Sequence, residues 1–290
     1  MTYTPRAVAA MLGIAPSTLR TWDHRYGLGP SLRSDGGHRR YRDADVQVLL
    51  RMVALTGQGI SPAAAAELAH RETPSRPPKP ERLLTDEEVT AAHHRFIIAA
   101  KRLDEPLMTD LAAKLVADHG VIPAWESVLA PCLVELGENI AESGSGIEVE
   151  HLASASVLQA LRGVPRSARP DLLAALLSCA PDEQHVLALE ALGAALSEQD
   201  LSWRNLGARV PAAALRNAVA RLKPRITVIW AHHTDLAVQV PLEELHNLSG
   251  SILLVAGSGW QSTVLPPFAH RPVTLSEAVQ LVATYARPER

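Results

Sequence analysis

Thr73 to Pro80 reads TPSRPPKP, four prolines in eight residues. Proline has no amide to give a helix or a central strand and its φ is fixed, so the run predicts an extended, semi-rigid spacer. A chain interrupted in this way folds as separate bodies, and the boundary is expected near residues 72–82. A hydrophobic fraction of 47% supports packed cores, while 4% aromatic residues among abundant Ala and Leu favour helix over an all-β sandwich. MTYTPRAVAAMLG at the amino terminus lacks a signal-peptide apolar run, and no stretch of about eighteen apolar residues occurs. A membrane partner is therefore not expected, and the expected location is cytoplasmic. Cys132 and Cys179 are too few for a disulfide framework, and no C-x-x-C pair points to zinc or redox chemistry.

Charge is unevenly spread. Residues 1–80 carry 11 Lys and Arg against 6 Asp and Glu, and the remaining residues carry 17 against 25. A basic head on an acidic body is what a chain needs if one part meets a polyanion.

Ahead of the spacer the pattern is of short helices. Thr4 caps one that holds Pro5, Val8 and Met11–Leu12 and ends at Gly13. Pro16–Ser17 opens a second through Leu19, Trp22 and Tyr26 to Gly27. Leu28–Tyr41 ends in a short extended piece. Asp43 caps a third helix through Val46, Leu49, Leu50 and Val53, and Ser61–Pro62 opens a fourth ending about His70. Behind the spacer, residues 83 to about 162 are helical throughout. A Thr85/Glu88 capping box starts the segment, and interruptions at Pro106, Gly120 with Pro123, and Ser143–Gly146 predict four helices in a bundle. After Pro170 the period changes. A short apolar run at Leu172–Ser178 and strands expected at Ser202–Leu206, Ile226–Trp230 and Ser251–Val255 alternate with helical segments over Glu183–Leu196, Pro211–Leu222, Leu236–Leu248 and Thr274–Tyr285. That alternation predicts a parallel, doubly wound sheet of four or five strands. Its ligands belong at the carboxyl ends of the strands, near the topological switch point.

The head carries YTPRAVAAMLGIAPSTLRTWDHRYGL followed by DGGHRRYRDADV. Over residues 2 to about 70 these motifs resemble the MerR family of transcription regulators. The resemblance implies a winged helix-turn-helix whose second helix enters the major groove of an operator. Ser17 and Thr18 then stand at that helix's start, where hydroxyls and free amides suit a phosphate, with Arg20 one turn on to reach a base edge or phosphate. Arg25 and Tyr26 close the helix beside the backbone. His38, Arg39, Arg40 and Tyr41 form the wing, with arginine on phosphates or in a narrow minor groove. Leu19 and Trp22 are expected to pack inward. Two-fold operators imply a homo-oligomer, a dimer or tetramer.

The body resembles the cobalamin-binding sensor module of the light-responsive MerR-type repressors of carotenoid synthesis, a helical bundle followed by a Rossmann-like domain. WESVLAPCLVELGENIAESGSGIEVEHLA matches the bundle segment ending in a Glu-His pair, here Glu150–His151. APDEQHVLALEAL matches the acidic-x-His-x-x-Gly loop after the first strand, which places Glu183 and His185. The resemblance implies adenosylcobalamin as cofactor, His185 as the lower axial ligand of cobalt, and Glu183 fixing its tautomer. Glu150 and His151 would lie near the upper face. The family's loop glycine is Ala188 here, and its upper-face tryptophan is Ile140. The serine-containing strand end reads Trp230–Ala231–His232–His233, and the double-glycine turn reads Gly257–Ser258–Gly259–Trp260. By the resemblance, Trp230 and Trp260 would fill volume that a dimethylbenzimidazole tail needs.

The pairs His93–His94 and His232–His233 are poorly placed to chelate from one helix face, Gly257-x-Gly259 follows a late strand rather than the first, and Cys179 reads as a small buried hydrophobe. The expected architecture is an α and α/β multidomain chain: a winged helix-turn-helix over 1–72, a linker over 73–82, a central four-helix bundle over 83–165 and a Rossmann-like parallel sheet over 166–290. The expected function is a DNA-binding regulator that senses a corrinoid and couples it to oligomerisation. The alternative is the same head on a cobalamin-free module that oligomerises, takes another ligand or recruits a partner. A corrinoid enzyme component is disfavoured, because the head binds DNA and no separate catalytic domain follows.

Overall fold

The structure, a computed structural model, describes residues 2–30, 32–33, 39–57, 60–71, 83–166 and 173–286. The proline run and His38 lie outside these residues. The chain gathers into two compact units, Met1–Pro77 and Pro78–Arg290.

In the first unit, strand β1 (Thr2–Tyr3) leads into α1 (Pro5–Met11), and the Ala7 amide donates to Thr4 Oγ1 at 3.2 Å to cap it. Helix α2 (Pro16–Tyr26) begins on Pro16 and stops at Gly27, which takes a left-handed φ of 69° so that its amide can reach back to Asp23. Strands β2 (Leu32–Arg33) and β3 (Arg39–Arg42) pair antiparallel, and β3 also pairs with β1, setting Tyr3 opposite Tyr41. Helices α3 (Asp43–Gly57) and α4 (Pro62–Arg71) follow. Val8, Leu12, Leu19, Trp22, Val46, Leu49 and Met52 share one core, with Leu19 and Trp22 inward as expected. Met11 and Leu50 face outward instead. Adjacent residues on a helix point about 100° apart, so only one of each apolar pair faces the core.

The second unit opens with α5 (Asp86–Lys101), whose capping box between Thr85 and Glu88 is present in both directions. Helix α6 (Glu105–His119) is capped by Asp104, which accepts from the Leu107 amide, so Pro106 sits in a first turn where its missing N–H costs nothing. Helix α7 (Val121–Ala124) runs through a π-turn at Trp125–Leu129 into α8 (Ala130–Ser143). Pro131 supplies the reason: it has no amide for the carbonyl four residues back, and the Ala130 amide reaches Trp125, five back. Helix α9 (Ile147–Arg162) completes the bundle.

The sheet is built from β4 (Leu173–Cys179), β5 (Ser202–Asn205), β6 (Ile226–Trp230), β7 (Ile252–Ala256) and β8 (Ala269–His270), all parallel, in the order β5-β4-β6-β7-β8. Between them run α10 (Leu187–Glu198), α11 (Ala212–Leu222), α12 (Thr234–Ala237) and α13 (Leu242–Ser249), and α14 (Leu275–Ala286) follows β8. Two sequence expectations are corrected. The helix expected from Glu183 starts at Leu187, leaving Glu183 and His185 in the loop, and the helix expected over Leu236–Leu248 breaks before Pro241. Two-residue β8 was not foreseen.

Residues alternate between the two faces of the sheet. Ala175, Leu177, Cys179, Ile226, Val228 and Leu254 join α10, α14 and the bundle residues Phe96, Met108, Val128 and Leu129 in one continuous core. Leu176, Ile229, Ala231, Leu253 and Val255 face α11 and α13, packing on Leu215, Val219 and Leu245. Strand β4 has β5 on one side and β6 on the other, so the chain reverses its winding there. The crevice between the carboxyl ends of β4 and β6 is the switch point, where doubly wound sheets bind ligands.

Candidate functional site

Two loops flank that crevice. After β4 the chain turns at Asp182, with φ of 60°, and the Glu183 amide bonds back to Ala180. This turn drives the Glu183 side chain inward, where it is 1% exposed. Its carboxylate accepts the His185 amide at 2.9 Å, the His185 ring Nδ1 at 2.6 Å, and the His232 amide from the loop after β6. Burial alone would raise the Glu183 pKa, but the amides of His185 and His232 and the His185 ring outweigh it and hold it below the usual carboxylate value. Against an ionised carboxylate, Nδ1 of His185 must donate. That leaves the Nε2 lone pair directed away on a ring whose side chain is 63% exposed.

Three imidazoles gather here. The ring centroids of His185 and His232 lie 4.9 Å apart, as do those of His232 and His233, with His185 and His233 at 6.5 Å. Burial, then the neighbouring His185 and His233, hold His232 below the ordinary imidazole value. Among the described residues no group of three or more His, Cys, Asp or Glu is placed to hold a metal ion. Sequence reading paired Glu183 with His185 but missed His232 and His233 as their neighbours. The available signal was their position directly after the other strand of the switch point. Cys179 lies beneath, its thiol directed at the His185 carbonyl at 3.7 Å; burial and then the Glu183 charge push its pKa up to about 12, so it is a thiol and not a thiolate ligand.

Gly257 and Gly259 answer to the protein's own backbone. A Cβ at Gly257 would fall 2.2 Å from the Ala231 carbonyl oxygen, and one at Gly259 2.5 Å from that of His233. These glycines let the loop after β7 close onto the loop after β6, where Ser258 also donates to the His232 carbonyl at 2.6 Å. Trp230 ends β6 in register with Cys179 and Ala256, and its indole Cδ2 lies 3.3 Å from the position of that Gly257 Cβ. Trp260 is buried in the core on the opposite face. Both indole N–H groups are buried without a hydrogen-bond partner.

The bundle residues stand apart from this loop pair. His151 Nδ1 is 2.8 Å from the Ile147 carbonyl and 3.3 Å from Glu150, which accepts from Ser154 at 2.6 Å. Among the described residues no hydrogen bond or ring contact joins them to Glu183 or His185. Arg162, eleven residues on and so about 16 Å along α9, pairs with Glu190 in the first turns of α10 at 2.9 Å. Ile140 packs over the turn between α8 and α9, its Cγ1 3.8 Å from where a Gly146 Cβ would stand.

In the first unit Ser17 and Arg20 are exposed and Thr18 half-buried in the opening turns of α2, with Arg25 exposed and Tyr26 half-buried at its end. Tyr41 is a correction: it is 2% exposed and belongs to the core, so it is no DNA contact. Alternation along β3 explains it, since Tyr41 faces in while Arg40 and Arg42 share the opposite face. Arg42, exposed, is the basic residue that sequence reading left out. Arg39 lies on β3, opposite Arg33.

Residues 3–72 match the family described as MerR HTH family regulatory protein. The HTH-type transcriptional repressor CarH of Myxococcus xanthus is 30% identical over 240 residues, covering 77% of this chain and 76% of that protein. The chain belongs to this repressor family. CarA of the same organism, also an HTH-type transcriptional repressor, is 31% identical over 236 residues, covering 79% of this chain and 76% of CarA. The monomethylamine corrinoid protein of Methanosarcina barkeri has the fold of the second unit, with a TM-score of 0.53 at 14% identity over 67% of this chain and 98% of its own. The chain is thus a transcriptional regulator of helix-turn-helix type and not an enzyme. Among the described residues no helix is long and apolar enough to cross a membrane.

The fit to a corrinoid divides at the crevice. Axial coordination fits, because His185 has its Nδ1 held by a buried carboxylate and its Nε2 turned outward. At the strand ends the Trp230 indole stands beside Gly257, which leaves less room there for a nucleotide base.

Proposed function

We propose that this regulator binds operator DNA through its first unit and senses a corrinoid at His185 of its second. The Glu183–His185 pair carries the reading: a buried carboxylate that holds one ring nitrogen and turns the other outward is an arrangement for an axial metal ligand, and a structural histidine has no need of it. A bound corrinoid would be held through His185 and would supply a cobalt centre and, as adenosylcobalamin, a light-labile cobalt–carbon bond. Glu150 and His151 are the bundle groups assigned to the upper face, with Ile140 nearby. In the head, Ser17 and Thr18 face phosphate, Arg20 a base edge, and Arg25, Arg40 and Arg42 the backbone, with Arg39 and His38 on the wing. The active form is a homo-oligomer, a dimer or tetramer matched to a two-fold operator, working in the cytoplasm. A ligand changes operator affinity only by its differential affinity for the two assemblies.

The second reading is a cofactor-free module that serves oligomerisation, another ligand or a partner, and the indole at the strand ends favours it. The full-length chain, mixed in the dark with adenosylcobalamin and separately with cobinamide and then desalted, discriminates the two. The sensor reading expects a corrin band that travels with the protein, is lost in His185→Ala, and alters operator gel shifts on illumination when the adenosyl form is bound. Protein that stays colourless with both ligands yet still shifts operator DNA supports the second reading.

A further inference from the structure

We infer that the corrinoid this regulator prefers is one without a nucleotide base, of the cobinamide class, because the chain places an indole of its own where that base would have to go. The inference rests on the sensor reading above and specifies its ligand.

In a cobalamin the nucleotide arm hangs from the lower face of the corrin, the face that His185 would ligate. Once an imidazole takes the lower position, the displaced benzimidazole must be housed beside that imidazole, within reach of the ring. The carboxyl ends of β4, β6 and β7 lie beside that imidazole, since His185 sits on the loop that leaves β4 and its ring is tilted against His232, 4.9 Å away, on the loop that leaves β6.

Trp230 stands at that crevice. Trp230 is the last residue of β6, level with Cys179 on β4 and Ala256 on β7, and so stands between the two neighbouring strand ends. Its side chain packs against the core shared by the bundle and the sheet. The 3.3 Å from Cδ2 to the would-be Gly257 Cβ shows the indole closed onto the loop after β7. Cys179 beneath is fully buried. Indole and benzimidazole are fused bicycles of nearly equal size, so the two would compete for the same space. A second bicycle could enter only by expelling Trp230 from its packing. Overfilling a packed site in this way is penalised by about 1–3 kcal/mol, which is roughly a ten- to hundred-fold loss of affinity.

The test compares aquocobinamide and hydroxocobalamin on full-length protein, reading Kd from the visible spectrum and confirming His185 ligation with His185→Ala. Cobinamide should bind about ten-fold more tightly or better, and Trp230→Ser should tighten hydroxocobalamin by a similar factor while changing cobinamide little. Trp230→Phe, which keeps an aromatic plug, should retain the preference, and circular dichroism of both variants guards against a folding defect. Equal affinity for the two ligands in the unaltered protein, within about three-fold, overturns this inference and leaves the sensor reading intact. A Trp230→Ser variant that is folded, yet gains no cobalamin affinity, overturns it as well. Binding of neither ligand, with operator binding preserved, overturns the sensor reading and this inference with it.

Discussion

Glu183 takes hydrogen bonds from two amides and one imidazole, and their geometry keeps it charged in spite of its burial. Glu183→Gln preserves the shape but removes the charge that obliges His185 Nδ1 to donate. The expected result is a folded protein whose corrinoid affinity falls about ten- to hundred-fold in a visible-light titration, because partners that orient a metal-ligating histidine have effects of that size. The cysteines behave in the opposite sense. Burial first, and then a nearby carboxylate, raise both Cys132 and Cys179 from 9.0 to about 12. A thiol held neutral in the fold contributes stability that is present below pH 9 and lost as pH rises toward 12. Iodoacetamide should therefore label neither cysteine in the native protein at neutral pH and both in denaturant, and the denaturation midpoint should fall above pH 9. Both pairings were legible at this scale only where partners are close in sequence. Glu183 and His185 are two residues apart, whereas His232 reaches Glu183 from 49 residues away through strand pairing.

At the scale of elements, caps and breakers behaved as their chemistry requires. Thr4, Thr85 and Gly27 bound their helices because each cap is a hydrogen bond within a few residues. The π-turn before Pro131 was not foreseen, since a proline in a helical pattern reads as a start or a stop and only the packed bundle keeps the helix running across it. Helix α10 offers a test in which two effects oppose each other. Gly193 lies inside it, where Ala would by propensity stabilise by about 1 kcal/mol. A Cβ there would come within 2.6 Å of the Trp203 indole, which is itself held by Ser197 at 2.8 Å and covered by the Arg166 guanidinium at 4.0 Å. Overpacking against a pinned ring costs about 1–3 kcal/mol, so Gly193→Ala should lower the melting temperature instead of raising it. Thermal unfolding followed by circular dichroism decides the sign.

For the whole molecule, the division into two units separates the readouts. Arg40→Ala, removing the proposed backbone contact, should weaken binding to operator and random DNA alike and flatten the log–log salt slope by about 0.9. Arg20→Ala, removing the proposed base contact, should cost about 1–3 kcal/mol of discrimination and leave random DNA little changed. Neither should move a corrinoid titration, and His185→Ala should leave the salt slope of the ligand-free protein unaltered. Fluorescence anisotropy at several salt concentrations measures all three.

The order of bodies along this chain, the helix ends at Thr4, Gly27 and Thr85, and its doubly wound strands follow from sequence alone, and the family resemblance adds the Glu183–His185 pair. Each depends on hydrogen bonds or hydrophobic periods spanning a few residues, and those are written in consecutive letters. Folding in three dimensions decided that Tyr41 turns inward while Arg42 turns out, that His232 and His233 join His185, and that the Trp230 indole lies across the strand ends beside Gly257. Those outcomes depend on which face of a pleat meets the core and on the register of parallel strands joined by long crossovers. Both are settled by packing between segments far apart in the chain.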